Sequence, residues 1–207
     1  MSERKQHWDE IYSDKSSTAL SWYQKEPLVS LALIERCHLS IDATIIDVGG
    51  GASHLVDYLL RAGYRHLMVL DISSKSLQIT RQRLEDMAKD VTWLESDITE
   101  FSTPRQVNLW HDRAVFHFLT DTSDRKKYLD VLSNTLKPGG YVIIAAFALG
   151  GPTQCSGLDI VQYNAEKLLV EFGRGYRLLE EQSEIHITPA NRQQHFNYYR
   201  MQKLPDL

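Results

Sequence analysis

Five short apolar runs recur along the chain, separated by longer stretches of mixed polarity, and this alternation constrains the fold more than any other feature. The runs cover residues 44–48, 66–71, 91–94, 107–110 and 141–147. They are short and rich in Val, Ile, Leu and aromatics, the length and composition of buried strands. Between them the spacing predicts a helix over 53–62, with Leu55, Tyr58 and Leu59 on one face. A longer polar helix runs from Ser73 or Ser74 through Lys89, with Leu77, Leu84 and Met87 as its stripe. A third, from 125 to 136, stops at Lys137-Pro138-Gly139-Gly140, where Pro and Gly prevent continuation. Strand–helix–strand alternation of this kind builds a parallel sheet covered on both faces. The run 141–147, apolar on both faces, belongs deep in it.

Beyond residue 150 the alternation stops. One helix, over 164–172, precedes two strand-like runs at 176–179 and 196–199 with no helix between them. That predicts a hairpin, hence an antiparallel addition to the sheet.

Composition narrows the class. The 207 residues carry 23 basic and 27 acidic side chains, a net charge of −4, which disfavours a polyanion such as nucleic acid as partner. Cys37 and Cys155 are the two cysteines, too few for a disulfide framework or a Cys-rich zinc site. They fit a reduced interior, and with a polar first segment and no apolar run near 18 residues the expectation is a cytoplasmic protein without membrane contact.

In an open α/β sheet the ligand lies beyond the carboxyl ends of the strands. After the first run stands Asp47-Val48-Gly49-Gly50-Gly51, with His54 where a dinucleotide fingerprint needs a small third residue. Gly49 and Gly51 let backbone approach a ligand, or simply make a tight turn. Asp47 is an awkward neighbour for a pyrophosphate but suits a cationic ligand; it equally suits a carboxylate that stiffens the turn. Asp71, with Ile72 beside it, follows the second run and is placed to accept both hydroxyls of a ribose. Asp97-Ile98, after the third, suits an adenine amino group and ring face. Three acids after three successive strands, with no phosphate-binding lysine, describe a site for a positively charged adenosine without phosphate. S-adenosylmethionine fits.

With these residues in order, the sequence resembles the class I S-adenosylmethionine-dependent methyltransferases over roughly its whole length. Ile45-Ile46-Asp47-Val48-Gly49-Gly50-Gly51 resembles the first motif of that family, Asp71 its ribose acid, Asp97-Ile98 its adenine pair, and Leu136-Lys137-Pro138-Gly139-Gly140 its turn into the fifth strand. The resemblance implies a Rossmann-like three-layer α/β sandwich with a seven-stranded, mostly parallel sheet and an antiparallel C-terminal strand. It divides one methyltransferase domain into an N-terminal helical lid (1–43), a cofactor-binding core (44–149) and an acceptor loop, helix and hairpin (150–207). The segments His7-Trp8-Asp9-Glu10-Ile11-Tyr12 and Ser21-Trp22-Tyr23-Gln24 resemble the lid of a subgroup that includes protein lysine and small-molecule enzymes. Trp22 then joins the cofactor residues, and Trp8, Tyr12 and Tyr23 the acceptor residues. The same aromatics also suit a staple holding the segment to the core.

Methyl transfer from a sulfonium needs alignment and a dry cleft more than a base. A base is required only for an acceptor that arrives protonated. After the fourth run, Trp110-His111-Asp112-Arg113-Ala114-Val115-Phe116-His117 offers His111 and His117 as bases, with His111 also near the cofactor, and Asp112 to orient an amine. Packing histidine and local ion pair are the plainer alternatives. The segment lacks both the Asn/Asp-Pro-Pro-aromatic motif and the catalytic Cys of nucleic-acid methyltransferases. Residues 150–158 form an expected active-site loop carrying Cys155; His186, Thr188, Pro189, Asn191 and Gln194 join the hairpin strands. The leading expectation is in-line methyl transfer to a small-molecule acceptor. A protein lysine is the alternative, weakened because His-Asp-Arg-Ala stands where the lysine enzymes carry Asp-Lys-Gly. A nicotinamide oxidoreductase and a non-catalytic S-adenosylmethionine-binding protein rank below both.

Overall fold

The structure, a computed structural model, describes residues 2–14 and 16–205. Two N-terminal helices, α1 (Glu3–Asp14) and α2 (Leu28–Glu35), precede the alternating part. That part runs β1 (Thr44–Val48), α3 (Leu55–Arg61), β2 (His66–Asp71), α4 (Ser74–Leu84), β3 (Val91–Glu95), β4 (Val107–Arg113), α5 (Thr122–Thr135) and β5 (Leu136–Phe147). There follow β6 (Gln154–Cys155), β7 (Leu158–Asp159), α6 (Ala165–Phe172), β8 (Tyr176–Ile187) and β9 (Gln193–Lys203).

Seven strands form one sheet in the order β3-β2-β1-β4-β5-β9-β8. The first five are parallel; β9 inserts antiparallel beside β5, and β8 pairs antiparallel with β9 at the edge. The doubly wound sheet and its antiparallel end agree with the sequence expectation.

Strand parity sorts the core onto two faces. Ile46, Val48, Met68, Trp110, Val142 and Ile144 pack with Tyr128 and Leu132 of α5 and Leu168 of α6. Their neighbours Ile45, Leu67, Val69, Leu109 and Ile143 face α2, α3 and α4 through Leu33, Leu55 and Leu77. Helices on both faces of one sheet make the three-layer sandwich.

Three local readings differ. The polar helix ends at Leu84, where Glu85 takes a φ of 51°, and residues Glu85–Asp90 continue as a 3-10 turn that leaves Met87 exposed. Met87 therefore belongs to no core stripe. The terminal hairpin strands are 12 and 11 residues long, so His186 and Gln194 lie within strands rather than in the connection. Residues 154–159 are a small hairpin whose turn residues Ser156 and Gly157 both hold positive φ, the mirror-image turn that matches strand twist.

Candidate functional site

The carboxyl ends of β1, β2, β3 and β4 open on one cleft. The space it encloses, open mouth included, is about 1000 Å³. Gly49, Asp71, Ile72, Asp97 and Ile98 line one end; Phe118, Phe147, Cys155, Leu158, Gln194 and Phe196 line the other. Arg113 and Trp22 border both this cleft and a second, narrower cavity that reaches Asp47, Gly50, Tyr23 and His111.

The glycine loop is shaped around Asp71. Gly51 N–H donates to Asp71 Oδ2 at 3.0 Å and Ser73 N–H donates to Oδ1 at 2.8 Å. A Cβ on Gly51 would stand 1.9 Å from Ser76 Oγ and 2.4 Å from Asp71 Oδ2, so no larger residue fits. Gly49 holds a φ of 68° with Val115 Cγ2 where a Cβ would be. Burial raises the Asp71 carboxyl to about 6, against the lowering pull of these two N–H donors and Ser76. The helix after it is capped separately by Ser73, whose Oγ accepts from Ser76 N–H at 3.2 Å.

Asp47 is buried on the opposite parity, beside α2. His111 Nδ1 lies 2.7 Å from Asp47 Oδ1 and His111 Nε2 lies 2.9 Å from Ser30 Oγ. The other oxygen, Asp47 Oδ2, is buried with no partner among the described residues. An idle carboxylate oxygen beside a glycine loop is an acceptor for a cationic ligand group. His54, in the third glycine position, stands before the first turn of α3 with its ring 5.6 Å edge-on from Tyr23.

Helix α1 lies across the mouth. It buries no residue fully, yet Trp8 sets its ring edge-on to Trp22 at 5.8 Å and to Phe118 at 5.1 Å, and Tyr12 meets Trp22 at 6.2 Å. Polar ties fix it over the strand ends: Ser73 Oγ donates to Asp9 Oδ1 at 2.7 Å, Lys5 pairs with Glu95 at 2.8 Å, and Arg4 bridges Asp97 and Asp124. Trp8, Tyr12 and Trp22 line the main cleft, whereas Tyr23 lines the narrower cavity.

Asp112 and His117 border neither space. Asp112 is fully buried on the α5 face, where it accepts from Tyr128 O–H at 2.6 Å, Val115 N–H at 2.8 Å and Phe116 N–H at 3.1 Å. Burial raises its carboxyl to about 6. His117 is also fully buried, packed on Phe118 and Phe147 with neither ring nitrogen hydrogen-bonded among the described residues. Burial, helped by the nearby Arg113 charge, lowers it to about 3, so it stays neutral. His186 Nε2 meets Ser21 O at 2.7 Å and Thr188 closes the β8–β9 turn, accepting from Arg192 N–H; neither reaches the cleft.

Sequence reasoning missed Arg113, Phe118, Phe147, Phe196 and Ser30. Parity along β4 was the available signal for the first: residues 111 and 113 share a face that 110 and 112 do not. Phe147 and Phe196 face each other in register across β5 and β9, which only the pairing reveals.

A doubly wound sheet with three acids and a glycine loop at its strand ends defines an α/β enzyme for a nucleoside-bearing cofactor. A family model described as a methyltransferase domain matches residues 45–140. Human EEF1A lysine methyltransferase 2 is 25% identical over 194 residues, covering 86% of this chain and 75% of that protein. The ubiquinone/menaquinone biosynthesis C-methyltransferase UbiE of Coxiella burnetii is 26% identical over 165 residues, 74% of this chain and 64% of that protein. Among solved structures, the N-methyltransferase NodS of Bradyrhizobium japonicum, in complex with S-adenosylhomocysteine, superposes with a TM-score of 0.68 at 17% identity, covering 96% and 98% of the two chains. The chain belongs to the class I S-adenosylmethionine-dependent methyltransferases, enzymes whose methyl donor is S-adenosylmethionine. Membership sets aside the oxidoreductase and non-catalytic alternatives. No helix among the described residues is long and apolar enough to cross a membrane.

Proposed function

We propose that the protein methylates a small molecule held between the β6–β7 hairpin and the ends of β4, β5 and β9. The observation that carries this reading is the single cleft that runs from Asp71 and Asp97 to an apolar compartment walled by Phe118, Phe147 and Phe196. Asp97, Ile98 and Ile72 take the adenine, Asp71 the ribose hydroxyls, and Asp47 Oδ2 with Gly49, Gly50 and Gly51 the methionine end. His111 acts by holding Asp47. Bound there, S-adenosylmethionine supplies an electrophilic methyl group on a sulfonium.

The chain's own contribution is alignment and exclusion of water. Trp8, Tyr12 and Trp22 close the cleft, Tyr23 supports the methionine end, and Cys155 is wall. Its thiol is pushed up by burial and stays neutral. We assign no general base: both His111 nitrogens are engaged, and Asp112 and His117 face other parts of the core. The first 43 residues thus serve as lid, 44–149 as cofactor core and 150–207 as acceptor region of one domain. Two unbridged thiols, Cys37 and Cys155, support a cytoplasmic setting. The net charge of −4 supports an acceptor that is not nucleic acid.

A protein lysine is the second reading, favoured by the human relative named above. The cation of Arg113 beside the apolar compartment opposes it. The test is transfer of labelled methyl from S-adenosylmethionine to a cell lysate, split into protein and small-molecule fractions. Label in the small-molecule fraction is the expected result; label confined to protein would overturn the acceptor class.

A further inference from the structure

We propose that the acceptor is an apolar molecule bearing an acidic nucleophile, a thiol or phenolic hydroxyl, which Arg113 holds as its anion while Gln194 orients the body beside it. The inference rests on the reading of the cleft as a methyl-acceptor compartment.

Arg113 is fixed on three sides. Its Nε donates to Tyr198 Oη at 2.9 Å, its Nη1 donates to Trp22 O at 2.9 Å, and its guanidinium lies 4.7 Å over the Phe196 ring. Nη2 is buried and makes no hydrogen bond among the described residues. The nearest carboxylate, Glu184 Oε2, stops at 3.9 Å because Tyr198 O–H at 2.7 Å and Gln24 Nε2 at 2.8 Å already hold it. An arginine fork held through two of its nitrogens, with the third buried and idle, is a donor kept for an anion or a carbonyl. Gln194 lines the same cleft, and its Oε1 is buried and equally without a partner among the described residues, an acceptor awaiting a donor.

The other titratable groups near this arm are neutral or committed. His117 and His186 are lowered by burial and by Arg113 itself; Cys155 is raised by burial; Tyr198 is raised to about 12 and spends its proton on Glu184. At the cofactor end stand Asp71, Asp97 paired with Arg4, and Tyr12, whose phenol burial raises. Arg113, with Glu184 held back at 3.9 Å and Nη2 without a hydrogen bond among the described residues, is therefore the cation of the acceptor compartment. An ammonium would meet a like charge and find no base to take its proton. A thiol or phenol loses its proton to water on binding, and the guanidinium stabilises the anion left behind. That anion's lone pair forms the new bond to the methyl carbon while the methyl–sulfonium bond breaks, its electrons returning to sulfur. One negative and one positive charge thus disappear together in a cleft that solvates neither.

The test titrates 4-nitrophenol and 4-nitrothiophenol by absorbance on the protein saturated with S-adenosylhomocysteine, a readout that needs no turnover. Bound probe should ionise roughly one pH unit or more below free probe. Arg113→Met should abolish that shift, Arg113→Lys keep part of it, and Gln194→Leu weaken binding several-fold without moving it. Benzylamine should not compete. Probes bound as neutral acids, an unchanged shift in Arg113→Met, absence of binding in the whole series, or tighter binding of benzylamine would each overturn the assignment. Calorimetry with S-adenosylhomocysteine alone separates the two readings. If S-adenosylhomocysteine binds and the probes fail, this inference falls alone. If it does not bind but the probe shift persists, the cofactor reading falls and the anion site stands.

Discussion

His111 Nδ1 stands 2.7 Å from Asp47 Oδ1 with both groups buried, so the ring that sequence reasoning offered as a base is a strut beneath the cofactor end of the cleft. A carboxylate only accepts, so Nδ1 carries the proton, and the far nitrogen is taken by Ser30 at 2.9 Å. His111→Ala strands Asp47 and should cost about 2–4 kcal/mol of stability. Cofactor affinity should fall with it, whereas kcat at saturating cofactor should keep its pH profile. Urea unfolding, calorimetry and a kcat–pH series check this; a lost acidic limb in that profile would restore His111 as a base.

The proposed ribose contact of Asp71 implies that cofactor binding depends on pH. Its carboxyl is raised to about 6, so a proton must leave before it can accept from ribose hydroxyls as a carboxylate. S-adenosylhomocysteine should bind about tenfold more weakly at pH 5 than at pH 7.5, one unit below a pKa of 6 being a factor of ten. Asp71→Asn should flatten that dependence and bind about 2 kcal/mol more weakly at pH 7.5. A pH-independent Kd for the wild type would contradict this assignment.

Stability should run the other way. Asp71 and Asp112 are both raised to about 6 in the fold, above the ordinary aspartate value near 3.9. The folded chain then holds more protons than the unfolded one between pH 4 and 6, and stability falls as pH rises through that window. Asp71→Asn with Asp112→Asn should reduce the fall, read as urea midpoints at pH 4, 5 and 6. Asp112→Ala, which strands Tyr128 and two backbone N–H groups, should cost about 2–4 kcal/mol and leave Kd for S-adenosylhomocysteine unchanged.

Trp8 makes the edge-on contacts that tie the proposed lid to the cleft. Trp8→Ala removes edge-on packing against Trp22 and Phe118, and cofactor dissociation in stopped flow should accelerate about tenfold. Thermal stability should change little, since α1 buries no residue fully. An unaltered off-rate would show that α1 does not close over the cofactor.

Gly51→Ala places a methyl group 1.9 Å from Ser76 Oγ and 2.4 Å from Asp71 Oδ2. Relief requires Asp71 to move, so affinity for S-adenosylhomocysteine should drop at least tenfold. Calorimetry on the folded variant decides it, and wild-type affinity would show that the loop yields without disturbing Asp71.

The backbone architecture was legible because its signals are local. Apolar runs of strand length with Asp47, Asp71 and Asp97 at or just past their carboxyl ends mark both the sheet and the rim of the cleft. Local patterning failed where position depends on a neighbour. The helix from Ser74 ends at Leu84 although its polar pattern runs on to Lys89, because α4 stops where the chain must turn down to β3. Asp112 and His117 read as active-site groups from their proximity to β4's end. Yet Asp112 shares the parity of Trp110 and turns into the α5 face, and His117 follows a left-handed Ala114 that redirects the chain.

By itself, then, the order of residues determined the βαβ array, the antiparallel end and the row of acids after the strands, each set by side-chain periodicity over a few residues. Only the tertiary structure decided which atoms remain free to meet a ligand. Asp47 is half spent on His111, Asp112 is wholly spent on Tyr128 and two N–H groups, and Arg113 keeps one arm idle. Apart from those two local N–H groups, the partners of these side chains lie 16 to 91 residues away in the chain, brought close only by tertiary packing. Whether a polar group is a tie or a site depends on what stands within 3 Å of it, a property of the packed molecule and of no sequence window.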